Sequence, residues 1–71
     1  MTTYILKIDP VSNNPQTSYT LVFGSSVSFA AVIDKLTRSA KLREEMGYVT
    51  REQTDATIKQ AIEKLKKLNI S

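Results

Sequence analysis

The stretch from Thr50 to Ile70 spells one amphipathic helix, and that pattern constrains the fold more than any other in the chain. Ile58, Ala61, Ile62, Leu65 and Leu68 recur at the i, i+3, i+4, i+7 rhythm of a single stripe, with Lys59, Glu63, Lys66 and Lys67 on the far side. A helix that is apolar on one side must bury that side, so the rest of the chain has to supply a matching surface. The start of the helix is also encoded. Thr50-Arg51-Glu52-Gln53 is a capping box, in which the threonine oxygen accepts from the Gln53 N–H while the Gln53 side chain returns to the Thr50 N–H. Glu52 and Asp55 fall at the positive end of the helix dipole, and Lys64, Lys66 and Lys67 at the negative end. The helix is predicted over 51–69.

The matching surface is predicted from two alternating runs. Tyr4, Leu6 and Ile8 face one way and Thr3, Ile5 and Lys7 the other; Tyr19, Leu21 and Phe23 alternate with Thr20 and Val22. Between them, Asp9 to Thr17 carries two prolines and paired asparagines that stop any regular element. This predicts a β-hairpin over 3–23 with a long polar tip. Its face of Tyr4, Leu6, Ile8, Tyr19, Leu21 and Phe23 should receive the helices, which leaves Ile5 and Val22 outside and both edges of the ribbon unpaired.

A first helix is predicted over 28–46. Ser26 or Ser28 can cap it, Phe29, Val32, Ile33, Leu36 and Ala40 share a face, and Gly47 stops it. Leu42 and Met46 lie off that face. Either the helix bends near 39–41 or these two side chains meet a different neighbour. Tyr48, just before the next helix, is expected to pack across its first turn as a hydrophobic staple. The fold class is therefore α+β, a two-stranded antiparallel hairpin followed by two helices in the order ββαα, occupying the chain as one small unit.

Composition narrows the chemistry. The 71 residues include no cysteine and no histidine, so disulfides, thiolate–metal clusters and histidine-based acid–base catalysis are excluded. A chain of this size buries only about 60% of its unfolded surface, and its stability must come from apolar packing, helped by self-association. The formal charge of +3 permits acidic partners without requiring them. No apolar run is long enough to cross a bilayer and no leader pattern opens the chain, so the expectation is a cytoplasmic, soluble protein with no membrane role.

No catalytic residue, metal ligand or cofactor-binding residue is assigned. Glu44, Glu45, Glu52 and Asp55 read as solvated helix ends. Three binding patterns remain. Gly24-Ser25-Ser26, at the junction of strand and helix, offers free N–H groups and hydroxyls to a phosphorylated ligand such as a nucleotide, but lacks the lysine of a P-loop. The two helices around Gly47 are similar to a helix-turn-helix, in which Arg51, Gln53 and Thr54 would lead into a DNA groove, with Thr57, Gln60 and Lys64 behind. Glu52 and Asp55 would oppose that by repelling phosphates. The third pattern is a protein-binding surface composed of the ribbon edge with Ile5 and Val22 and the helix surface around Leu42, Met46 and Tyr48.

The reading adopted from sequence is the third: a non-enzymatic interaction, regulatory or inhibitor protein without a cofactor, of the accessory kind that prokaryotes and their viruses encode. Its partner is expected to be another protein, a second copy included, in a homodimer. A DNA-binding regulator and a phosphate-binding protein are the alternatives.

Overall fold

A computed structural model of the protein describes residues 2–68. Strand β1 (Thr3–Ile8) pairs antiparallel with β2 (Tyr19–Gly24), and helices α1 (Phe29–Glu45) and α2 (Arg51–Leu68) follow, giving the expected ββαα order. The predicted end of the second helix at residue 69 lies outside the described residues.

The pairing register places Tyr4 opposite Phe23, Leu6 opposite Leu21 and Ile8 opposite Tyr19, so the six inward residues form three cross-strand pairs. The rings of Tyr4 and Phe23 stack with centroids 5.6 Å apart. Ile5 opposes Val22 on the other face, where they are 59% and 65% exposed. The alternation of the sequence thus gives the correct phase to both strands.

Helix α1 is capped by Ser28, whose Oγ accepts from the Ala31 N–H at 3.2 Å. It runs without a break through residues 39–41, so Leu42 and Met46 are exposed because they sit on a different side of a continuous helix. A Schellman closure ends it. Gly47 donates to the Glu44 carbonyl and Tyr48 to that of Arg43, both at 3.0 Å, with Gly47 at a φ of 83°. The next helix begins three residues later through the capping box, with both reciprocal bonds formed at 2.9 and 3.1 Å. Tyr48, however, is exposed, and the buried residue before the cap is Val49. The staple position is the residue directly before the cap, and Tyr48 stands one residue too early to reach across.

Leu6, Ile8, Phe23, Val32, Leu36, Ala61 and Leu65 make the core, with Leu36 and Leu65 fully buried. The buried side of α2 is turned from the predicted stripe. Ala61 and Leu65 are inside, but so are Thr54 and Thr57, while Ile58 and Ile62 are half-buried and Leu68 is exposed. Both threonines can be buried because each hydroxyl donates one turn back, to the Thr50 and Gln53 carbonyls at 3.0 and 2.9 Å. Their methyl groups then pack as small apolar residues. Among the described residues no buried side-chain polar atom lacks a partner.

With so small a core, one large cavity is severe. Leu36→Ala or Leu65→Ala should cost about 2–5 kcal/mol, a large part of the ~5–15 kcal/mol of a typical domain. A urea titration followed by circular dichroism measures it as a matching drop in midpoint.

Candidate functional site

The two edges of the hairpin are not alike. The Ser25 N–H donates to the Thr2 carbonyl at 2.9 Å, which fixes the alternation of the ladder: residues 4, 6 and 8 exchange bonds with 23, 21 and 19. The intervening residues therefore aim their N–H and C=O groups outward, Thr3, Ile5, Lys7 and Asp9 along the edge of β1, and Ser18, Thr20, Val22 and Gly24 along the edge of β2.

Helix α2 closes the edge of β1 where the chain leaves it. The Gln60 side-chain amide accepts from the Asp9 N–H at 2.8 Å and donates to the Asp9 carbonyl at 3.1 Å, imitating one residue of a neighbouring strand. The Lys64 ammonium donates to the Lys7 carbonyl at 2.5 Å and lies 3.4 Å from the Asp9 carboxylate. An inward-turned lysine on an edge blocks the approach of another strand. Further along the same side of α2, the Thr57 hydroxyl lies 3.4 Å from the Thr17 carbonyl, and the Gln53 Oε1 accepts from the Asn14 Nδ2 at 3.2 Å. Asn14 also donates to the Tyr48 carbonyl at 3.1 Å.

The polar stripe Gln53–Thr57–Gln60–Lys64 is therefore turned inward onto the hairpin. For the DNA alternative this is a correction. Gln53 is consumed by the cap and by Asn14, Thr54 and Thr57 are buried, and only Arg51 of the four residues remains exposed. A base edge could not reach the buried pair without unfolding the helix contact. The phosphate alternative also loses its geometry. The α1 cap is Ser28 rather than Ser26, the Ser25 N–H is spent on Thr2, and the Gly24 carbonyl accepts from Val27, while Ser25 and Ser26 lie exposed in the turn before the helix.

The edge of β2 is open. Among the described residues the outward groups of Thr20 and Val22 and the Gly24 N–H have no partner. Beside this edge α1 forms the wall of a groove of about 500 Å³, lined by Leu21, Val22 and Phe23 from the strand and by Val27, Ala31 and Lys35 from the turn and helix. Leu42 and Met46 follow Ala31 and Lys35 at i+11 and i+15 from Ala31, which places all four on one side of α1. Both are exposed, Leu42 by 55% and Met46 by 60%. Val22, Leu42 and Met46 thus share one flank of the molecule. Ile5 lies on the outer sheet face beside Val22, and Tyr48 sits apart, in the turn between the helices.

Arg43 was not foreseen and holds this flank in shape. Its guanidinium lies 4.2 Å from the centroid of the Tyr19 ring and donates to the Gln16 carbonyl, with the Ser18 carbonyl 3.4 Å away. A sequence signal existed, since Arg43 continues the line of Leu36 and Ala40 along the buried side of α1.

Among the described residues there is no group of three or more acidic side chains placed to hold a metal ion, and no helix long and apolar enough to cross a membrane. No family model, curated protein or solved structure matches this chain.

Removing the side-chain amide that occupies the β1 edge tests its role. Gln60→Ala should cost about 0.5–1.5 kcal/mol, and native-state hydrogen exchange should show the Asp9 amide losing its protection while the Leu6 and Leu21 amides keep theirs.

Proposed function

We propose that this protein is a non-enzymatic interaction module that recruits a protein partner by sheet extension at β2, using the α1 flank as a second level of contact. The observation that carries this reading is the asymmetry of the hairpin: the Lys7–Asp9 end of the β1 edge is occupied by Gln60 and Lys64, whereas the β2 edge is bare along its length beside an apolar groove. Bare edges pair readily, and main-chain hydrogen bonds supply affinity while the flanking side chains supply selectivity. Val22, Leu42 and Met46, exposed together along that flank, are the apolar positions such contact would cover. A regulatory or inhibitory role is compatible with this mode, because an added strand can occupy or mask a partner's own edge.

Photo-crosslinking at single positions tests the proposal in the cells that make the protein. A benzophenone amino acid at Ala31 or Leu42 should give one discrete adduct. The same group at Lys59 or Glu63, on the exposed side of α2, should give none. Equal labelling from both sides would overturn the assignment.

A further inference from the structure

We draw no further inference here: the strongest candidate, the apolar groove between β2 and the start of α1 with Leu42 and Met46 exposed further along the helix, belongs to the surface already described, and nothing in the structure shows what covers it.

Discussion

The polar seam between α2 and the hairpin is the contact on which the remaining structure depends. Gln53, Thr57, Gln60 and Lys64 project from one side of α2 and engage Asn14, Thr17, Asp9 and Lys7 in turn. Each group is small in energetic terms, about 0.5–1.5 kcal/mol net for an ordinary hydrogen bond. Their collective effect is geometric. They fix the rotation of α2 about its axis, and this decides which of its residues are buried. They also hold the long connection between the strands, whose Ser12 and Asn13 have positive φ and whose Thr17 is almost fully buried. Thr17 keeps its own hydroxyl satisfied by accepting from Val11 and donating to Asn14, at 2.7 and 2.6 Å. A segment rich in turn residues is thereby a folded part of the domain.

That rotation explains where sequence patterning succeeds and where it stops. The capping box, a serine cap on the first helix (Ser26 or Ser28), the Gly47 stop and the phase of both strands are local features, set by residues a few positions apart, and all were legible. The buried side of α2 was legible only in part. Apolar periodicity selects Ile58, Ile62 and Leu68, whereas the fold prefers Thr54 and Thr57 and leaves Leu68 exposed. Threonine scores as polar in a pattern, yet a hydroxyl turned onto its own helix leaves a small apolar group that packs well. Tyr48 against Val49 is a similar case, where the larger residue draws attention but the position beside the cap decides.

The edges of the hairpin were the least legible feature. From sequence both were unpaired, because a two-stranded ribbon has two edges by definition. The difference arises from contacts between residues more than fifty positions apart, such as Asp9 with Gln60 at a separation of 51. The stripe holding Gln60 and Lys64 was visible as a stripe, but its partner was not. Leu42 and Met46 were rightly marked as off the core face, and their common side with the β2 edge became evident only once α1 was oriented over the strands.

The long separations within the seam also bear on how the protein is made. Lys7 and Lys64 are 57 residues apart, so the bond between them cannot form until that stretch has been synthesised after Lys7. Until then the Lys7–Asp9 end of the β1 margin would stay as adhesive as the β2 margin. Helix α2 thus acts as a late-arriving guard within the same polypeptide, and slow emergence of its final turns from the ribosome would lengthen the interval in which neighbouring nascent chains can stick together at the wrong side.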